Sequence, residues 1–335
     1  MDNKNCLIIA EAGVNHNGKL SLAMKLCDAA KEAGADVVKF QTWKTENLLT
    51  RNVAQADYQT TNTGIRESQF EMLKKLELSY DDFCAIKMHC DDIGIIFAST
   101  ADEPESLDFL VELGIPFIKV GSGDIGNISF LRYMGTKHLP VILSTGMSNL
   151  ADVDISIRAL IKGGATDITL LHCTTNYPCP YEDVNLKAML TLRDAFHLPI
   201  GYSDHTIGTD VAVAAAAMGA GVIEKHFTLD TGMEGPDHKA STEPEEFKRL
   251  VNSIRNVEVC LGTGVKGPTS AEREISKVVT KRIVAKREIT DGDIFLEDNI
   301  CIKRNDTGVL ASQWDIIVGK KASRSFKVDE GIDII

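Results

Sequence analysis

Short apolar runs recur along the first two thirds of the chain, and a segment with helical spacing follows each of them. In residues 20–34, Leu22, Leu26, Ala29 and Ala33 repeat every three or four positions, which predicts an amphipathic helix. The runs themselves predict eight β-strands, at residues 6–13, 36–41, 94–100, 117–123, 141–146, 168–174, 200–205 and 222–227. Eight alternating strand and helix units are typical of a TIM (β/α)8 barrel.

An open, doubly wound α/β sheet is the alternative fold for the same alternation. Such sheets usually have fewer strands and gather their polar residues at one switch point. In this chain nearly every predicted strand ends in polar residues. The pattern therefore favours the barrel.

The pattern changes around residue 262, where the sequence GTGVKGPTSAERE predicts a linker. We divide the chain into a barrel at 1–262, a linker at 263–281 and a small β-rich domain at 282–335. Within the barrel, the connection at 42–66 is long and lacks periodicity. Because long loops on the catalytic face are often functional, we interpret it as a lid or a substrate wall.

TIM barrels build their active sites at the C-terminal ends of the strands. The polar residues at the predicted strand ends are Glu11, Lys39, Gln41, Ser99, Thr100, Lys119, Ser122, Ser144, Thr145, His172, Thr174, Ser203, His205, Glu224 and His226. Side chains alternate along a strand, so Ser203 and His205 share one face and Asp204 lies on the other. Although Ser, Asp and His are the residue types of a hydrolase triad, adjacent residues on an extended strand do not fit its geometry. A triad is therefore not predicted.

Two chemical groupings emerge from these strand ends. His205 and His226 would converge from neighbouring strands with Glu224 beside them, which suits a divalent ion such as Mn²⁺. Lys39 and Lys119 lie within apolar runs, and they come together with several hydroxyls and glycine-rich turns. That combination indicates an anionic substrate with a phosphate and a carboxylate. After the last strand, the turn-rich residues 232–241 carry Asp237, a further candidate substrate contact.

The bulk properties exclude several classes of protein. The 335 residues are 44% hydrophobic and 25% charged, with a formal net charge of −12, which argues against a general nucleic-acid binder. No apolar run is long enough for a membrane span, and the N-terminus does not read as a signal peptide. The eight cysteines include no C-x-x-C pair. We therefore expect a reduced, cytoplasmic protein.

The strand ends resemble the sialic acid synthase family over essentially the whole chain. The motifs that carry the resemblance are IIAEAGVNHNG, VVKFQT, IKVGSGD, ILSTGM, LLHCTTNYP, GYSDHTIG, VIEKHFTLD and GPDHKAS. The resemblance implies that the last domain is an antifreeze-like (SAF) module. It also implies condensation of phosphoenolpyruvate with an N-acetylated hexosamine, giving a nine-carbon 2-keto acid and phosphate. We expect N-acetylmannosamine as the sugar and N-acetylneuraminate as the product.

The resemblance also implies roles for individual residues. His205 and His226 are expected to hold Mn²⁺ or Mg²⁺, with Glu224 moving protons beside the metal. The expected phosphoenolpyruvate pocket consists of Lys39, Lys119, Thr100, Ser122, Ser144 and Ser203. The expected sugar and substrate contacts are Glu11, Gln41, Asp124, Thr175, Tyr177 and Asp237. A domain-swapped homodimer is implied as well, in which Arg304 reaches the sugar site of the partner.

Three departures from the family pattern lie on the sugar side. After strand three the family commonly reads Ser-Thr-Pro-Phe, whereas here Ala101 and Asp102 follow Ser99 and Thr100. In addition, Asp124 replaces a glutamate, and RND replaces Arg-Pro-Gly at Arg304. They leave the sugar open, and synthesis of N,N'-diacetyllegionaminate from a 2,4-diacetamido sugar is the nearest alternative.

Other reaction classes remain as rivals. One is a Schiff-base aldolase that uses Lys39 or Lys119. Another is a metal-dependent barrel hydrolase, although only His16 stands near strand one, where a His-x-His pair is usual. A non-catalytic binding protein is disfavoured because so many strand ends carry convergent polar groups.

Overall fold

In a computed structural model, which describes residues 5–55, 60 and 67–333, eight parallel strands close into a barrel in chain order. The strands, β1 to β8, are Leu7–Gly13, Val37–Thr42, Ile96–Ala101, Ile118–Val120, Val141–Ser144, Ile168–His172, Ile200–Asp204 and Val222–His226. The barrel prediction is confirmed, and the open doubly wound sheet is wrong because β1 pairs with both β2 and β8.

Helices follow the strands and surround the barrel. In the first unit, α1 to α10 are Leu20–Glu32, Thr45–Leu48, Gln69–Leu76, Tyr80–Ile93, Pro104–Leu113, Ile128–Gly135, Leu150–Gly163, Lys187–Phe196, Asp210–Ala217 and Pro244–Leu261. Short 3-10 turns occur at Ser122–Asp124, Tyr181–Asp183 and His238–Ala240. At α4, Ser79 and Asp82 form a reciprocal capping box, and Gly94 ends the helix at φ 73°, a left-handed conformation that glycine adopts without strain.

The two faces of each barrel strand have different partners. Residues such as Ile8, Val38 and Leu170 point outward and pack with the helices in the main hydrophobic core. Their neighbours along the strands point inward and fill the barrel with a separate apolar cluster, which consists of Ile9, Val37, Ala98, Phe117, Ile142, Leu171 and Val222. This alternation of side chains decides which strand-end residues reach the barrel mouth.

The chain divides into two compact units, residues 1–262 and 263–335. The second unit contains β9 and β10 (Lys281–Ala285 and Ile300–Arg304), which pair antiparallel, a 3-10 turn at Ala311–Gln313, and the helices α11 and α12 (Ser270–Val279 and Trp314–Ile317). Its own core includes Ile283, Phe295, Ile300 and Phe326. The range predicted as a linker thus contains the helix α11.

The connection predicted at 42–66 is described in part. It contains the short helix α2, and Ala54 forms an isolated bridge with Ser68. Residues 56–59 and 61–66, on which the lid interpretation also depends, lie outside the described residues. Within the part of the chain that is described, no helix is long and apolar enough to cross a membrane.

Candidate active site

The polar strand ends converge on a cavity of about 200 Å³ at the C-terminal mouth of the barrel. Of the predicted site residues, those that line it are Glu11, Lys39, Gln41, Thr100, Lys119, Ser122, Ser144, Thr175, Tyr177, Ser203, His205, Glu224 and His226. Asp124 and Asp237 do not line this cavity, and Arg304 belongs to the second unit. We refer to it below as the mouth cavity.

Two buried lysines and two buried carboxyl groups form the centre of the mouth cavity. The Nζ of Lys39 lies 2.6 Å from Oε2 of Glu11 and 3.6 Å from Oε2 of Glu224. The Nζ of Lys119 lies 3.4 Å from Oε1 of Glu224 and donates a 2.8 Å hydrogen bond to Oγ of Ser144. Because every one of these charges is buried, the cluster is held together by its own pairings rather than by water.

The protonation of the cluster follows from these contacts. Burial favours a neutral Glu224, but Lys119 and Lys39 outweigh it and hold the pKa of Glu224 at about 2. Burial lowers the pKa of Lys39, but the carboxylates of Glu11 and Glu224 raise it by more. The pKa of Lys39 therefore lies above its usual value, and this ammonium stays protonated. Burial raises the pKa of Glu11 despite the pairing with Lys39. The centre therefore carries surplus positive charge whenever Glu11 is protonated, which suits an anionic ligand.

Hydroxyl groups surround the lysines. Thr100 accepts a 3.1 Å hydrogen bond from Lys39, and Ser203 donates one of 2.9 Å to Oε1 of Glu224. The Oγ of Ser122 accepts a 3.0 Å hydrogen bond from the backbone N–H of Gly146. A Cβ on Gly146 would lie 2.2 Å from Oγ1 of Thr175 and 2.8 Å from Oγ of Ser122. Glycine is thus required there so that these hydroxyls can come together.

The two predicted histidine ligands meet at the ends of β7 and β8. The rings of His205 and His226 lie 5.5 Å apart between centroids, and Tyr177 packs against both. The Nδ1 of His205 lies 2.7 Å from the Thr174 carbonyl. A carbonyl only accepts, so Nδ1 carries the proton and Nε2 keeps its lone pair.

Both imidazoles are suited to hold a cation. Burial lowers the pKa of His205 and lowers that of His226 well below its usual value, so both rings are neutral at neutral pH. The Nδ1 of His226 is buried and has no hydrogen-bond partner among the described residues. Neutral imidazole with the second nitrogen bound to a carbonyl is the form that binds divalent metals. Among residues 5–55, 60 and 67–333, however, no group of three or more His, Cys, Asp or Glu side chains is arranged around a metal position.

The geometry contains no Ser-His-Asp relay at 203–205. Ser203 bonds to Glu224, His205 bonds to the Thr174 carbonyl, and Asp204 faces away from the cavity and pairs with Lys225 at 2.7 Å. Each of the three residues therefore has a different partner, as the alternation of the strand predicts.

Asp237 lies buried near the mouth cavity without lining it. Burial raises its pKa to about 7, and the nearby Glu11 adds to the increase. A relay of side chains from the first loop of the barrel holds its segment, because Nδ2 of Asn15 donates a 2.9 Å hydrogen bond to Oγ of Ser241. Ser241 in turn donates to the Asp237 carbonyl at 2.7 Å.

The remaining two predicted contacts are placed differently. Asp124 accepts a hydrogen bond from Asn127 and lines an open cavity of about 1140 Å³, which shares Asp102 with the mouth cavity. Arg304 is exposed at the end of β10 in the second unit.

Sequence reasoning missed two polar residues of the mouth cavity and misplaced others. Asp102 and Cys173 line the cavity, and burial together with Asp124 raises the pKa of Asp102 to about 7. His172 was expected at the mouth, but it bonds to the Val184 carbonyl on the outer side of the barrel. Counting inward positions by twos from Leu171 would have selected Cys173 instead. Ser99, Thr145 and Thr174 likewise do not line the cavity.

Known proteins match this chain over most of its length. Residues 26–266 match the NeuB family. The chain is 46% identical to the N,N'-diacetyllegionaminic acid synthase of Campylobacter jejuni, over 98% of this chain and 98% of that protein. It is 47% identical to the protein of the same name from Legionella pneumophila, over 95% and 90%. Among solved structures, the N-acetylneuraminic acid (sialic acid) synthetase of Leptospira borgpetersenii, in complex with citrate, matches with a TM-score of 0.72 and 33% identity, over 81% of this chain and 90% of that one.

Proposed function

The chain belongs to the NeuB family, and from that premise we propose that it condenses phosphoenolpyruvate with 2,4-diacetamido-2,4,6-trideoxymannose to give N,N'-diacetyllegionaminate and phosphate. The single observation that carries the choice of sugar is the identity of 46–47% to two proteins with that name. The identity to the sialic acid synthetase is 33%. The order of preference expected from the sequence, with N-acetylmannosamine first, is therefore reversed.

The chemistry of the mouth cavity supports a reaction that uses phosphoenolpyruvate. The substrate brings a phosphate and a carboxylate, and Lys39 and Lys119 supply two ammonium groups with hydroxyl donors beside them. In the reaction a carbon–carbon bond forms between C3 of phosphoenolpyruvate and the sugar aldehyde. Water then adds at C2, and the bond between C2 and the phosphate oxygen breaks.

The environments of Glu224 and Glu11 suit different roles in the proposed reaction. Glu224 is ionised because Lys119 and Lys39 compensate its charge. When an anionic substrate occupies the lysines, that compensation weakens and the pKa of Glu224 rises toward the range of a proton acceptor for water. Glu11 is held by Gln41 through a 3.0 Å hydrogen bond and keeps a proton more readily than an exposed glutamate. We propose that it orients the sugar.

We further propose that His205 and His226 hold Mn²⁺ or Mg²⁺, with the other coordination positions taken by water and substrate oxygens. When bound, such an ion polarises the aldehyde oxygen and lowers the pKa of a bound water. EDTA treatment is expected to abolish turnover, and added Mn²⁺ is expected to restore it. Full turnover by the metal-stripped protein would contradict this part of the proposal.

A Schiff-base aldolase is a weaker candidate. A lysine that forms a Schiff base has a lowered pKa, whereas the carboxylates around Lys39 raise its pKa. Borohydride in the presence of pyruvate is therefore expected to leave the mass of the protein unchanged. A covalent adduct on Lys39 or Lys119 would favour the aldolase.

The second unit is proposed to be an antifreeze-like domain that supplies Arg304 to the sugar site of a partner subunit. Arg304→Ala is expected to raise the KM for the sugar at least tenfold and to leave the KM for phosphoenolpyruvate unchanged. Lys303→Ala, one residue earlier on β10, is the matched control. Equal sugar kinetics of the two variants would remove Arg304 from the site.

One experiment tests the proposed reaction directly. Phosphoenolpyruvate is incubated separately with the 2,4-diacetamido sugar and with N-acetylmannosamine, and the products are identified by mass spectrometry and by released phosphate. The diacetamido sugar is expected to give the higher kcat/KM by at least tenfold. A higher value for N-acetylmannosamine would reverse the assignment of the sugar, and no phosphate from either would refute the reaction.

A further inference from the structure

A fully buried ion pair stands directly behind the two histidines. The Nζ of Lys225 lies 2.7 Å from Oδ2 of Asp204, and each residue is 1% exposed. The same ammonium donates a 2.8 Å hydrogen bond to the Thr206 carbonyl. The second carboxylate oxygen of Asp204 accepts hydrogen bonds from the backbone N–H and the hydroxyl of Thr206, at 3.0 and 2.8 Å. Both members of the pair therefore bond to the backbone of Thr206 as well as to each other.

The position of this pair is set by the alternation of β7 and β8. Asp204 and Lys225 are partners in the strand register, and each immediately precedes one of the two histidines. The histidines face the mouth cavity, so the ion pair lies on the outer face of the same strands. Other outward positions on the barrel, such as Ile8 and Leu170, are apolar and pack with the helices. A charged pair on that face is therefore an exception.

The contacts of the ion pair extend past the last residues that pair between β7 and β8. Asp204 is the last residue of β7 and the last that pairs with β8. His205 and Thr206 lie beyond it, and Lys225 reaches from β8 to the carbonyl of Thr206. The backbone N–H of Cys179 donates a hydrogen bond to the His205 carbonyl. The side chains of Asp204 and Lys225 provide further contacts that restrain the backbone around His205. Of the two side chains, Lys225 acts from β8, the strand that carries His226.

We propose that Asp204 and Lys225 are positioning residues that fix His205 relative to His226 and so set the affinity of the site for a divalent cation. The inference rests on the proposed function for the binding of a cation at the two histidines, but not for the positioning of His205. Stability alone does not account for the pair, because apolar residues of similar volume usually replace a buried ion pair at no cost to the folded state. Fixed spacing between two ligands from neighbouring strands, in contrast, requires a directional contact between those strands.

The test compares Asp204→Asn, Lys225→Met and the double variant D204N/K225M with wild type. Each single variant leaves a buried charge without its partner and is expected to lose stability. The double variant removes both charges, so most of that stability is expected to return. The matched control is Asp36→Asn, because Asp36 also pairs with a cation, Arg255, and bonds to a backbone N–H, but at the other end of the barrel.

Two readouts separate positioning from stability. The first is the NMR signal of the His205 Nδ1–H, which is protected in wild type by its hydrogen bond to Thr174. In the double variant we expect this signal to broaden or to exchange rapidly. The second is Mn²⁺ affinity measured by electron paramagnetic resonance, for which we expect the Kd of the double variant to rise about 10- to 100-fold. Asp36→Asn is expected to change neither.

The outcomes are distinct. A double variant that recovers its stability and keeps both the wild-type imidazole signal and the wild-type Kd would overturn the proposal, because the pair would then be structural only. If wild type itself does not bind Mn²⁺, the metal assignment of the proposed function fails. The imidazole signal then decides the positioning role by itself, since it does not depend on a metal.

Discussion

Two layers of side chains inside the barrel come from the same strands but differ in polarity. The lower layer is the apolar cluster of Ile9, Val37, Ala98, Phe117, Ile142, Leu171 and Val222. Two residues further along each strand stand Glu11, Lys39, Thr100, Lys119, Ser144, Cys173 and Glu224, all of which line the mouth cavity. On β7 the lower position is Gly201, where a Cβ would lie 2.5 Å from the side chain of Leu171. We call the two sets the apolar layer and the mouth layer.

The difference shows how one strand supplies both stability and chemistry. Residues of both layers are buried to a similar degree, yet the apolar layer gains from leaving water, whereas the mouth layer has to satisfy its charges by pairing. The apolar layer closes the barrel below the charges, so the cavity opens only at its C-terminal end. Substitutions in the two layers should therefore separate activity from stability.

The largest expected effect is the loss of activity on removal of one of the two imidazoles that line the mouth cavity. His205→Ala and His226→Ala are each expected to lower kcat/KM at least thousandfold, about 4 kcal/mol of transition-state stabilisation. Stability should change little, because neither ring belongs to the apolar layer. Steady-state kinetics with phosphoenolpyruvate and urea unfolding measure the two quantities.

The control for this prediction is a histidine outside the cavity. His172→Ala removes a ring that bonds to the Val184 carbonyl on the outer side of the barrel, and kcat/KM should stay within about threefold of wild type. If His172→Ala were as inactive as His205→Ala, the loss would reflect general damage to the barrel.

The reverse effect is expected one layer down. Phe117→Ala removes a buried ring (2% exposed) from the apolar layer and should lower the free energy of unfolding by about 3–5 kcal/mol. The kcat of the molecules that remain folded should stay within a few-fold of wild type, because Lys119 keeps its own partners, Ser144 and Glu224. Phe117→Leu, which keeps most of the volume, should cost much less. A large drop in kcat with unchanged stability would contradict the separation of the layers.

The sequence predicts this separation well, because both layers follow from one period. Once the strands are located, counting by twos from Ile9 or Val37 identifies Glu11 and Lys39 as mouth residues. The error at His172 has the same basis. His172 is selected because it is a polar residue at a strand end, whereas the alternation of inward and outward side chains selects Cys173. Parity is a local property and is therefore readable from the chain.

Contacts between distant segments could not be predicted in the same way. The hydrogen bond from Asn15 to Ser241 spans 226 residues of sequence and depends on the closure of the barrel. The increase in the pKa of Asp102 depends on its burial and on the nearby Asp124, from another loop. Of the ion pair of Asp204 and Lys225, the sequence analysis predicts only that Asp204 lies on the opposite face of its strand from Ser203 and His205. Such features require the register of neighbouring strands, which one sequence does not specify.

The buried carboxyl group of Asp237, near the mouth cavity, should make the free energy of unfolding depend on pH. Burial raises the pKa of Asp237 to about 7, well above the usual value for an aspartate, so between these two values the folded protein binds a proton that the unfolded chain has lost. The free energy of unfolding of wild type should therefore fall as pH rises between about 4 and 7, and stay lower above this window. Asp237→Asn cannot ionise and escapes this loss.

We expect Asp237→Asn to match wild type in stability near pH 4 and to exceed it by about 1–3 kcal/mol at pH 8.5. Urea unfolding at the two pH values measures the difference, and sugar kinetics at pH 8.5 should show a raised KM for the variant. A stability difference that is the same at both pH values would mean that the carboxyl group does not retain its proton on folding.

The smallest effect is expected at Cys173, the thiol of the mouth layer. Its Sγ lies 3.3 Å from Oγ of Ser122, and burial raises the pKa of the thiol, so it stays neutral beside the lysines. A neutral thiol is a weak hydrogen-bond partner and behaves as a small apolar group. Cys173→Ala should therefore change the KM for phosphoenolpyruvate by less than about threefold. Ser122→Ala, which removes the hydroxyl held by Gly146, should raise it about tenfold. A larger effect at Cys173 than at Ser122 would contradict this prediction and would place the thiol among the groups that bind the anion.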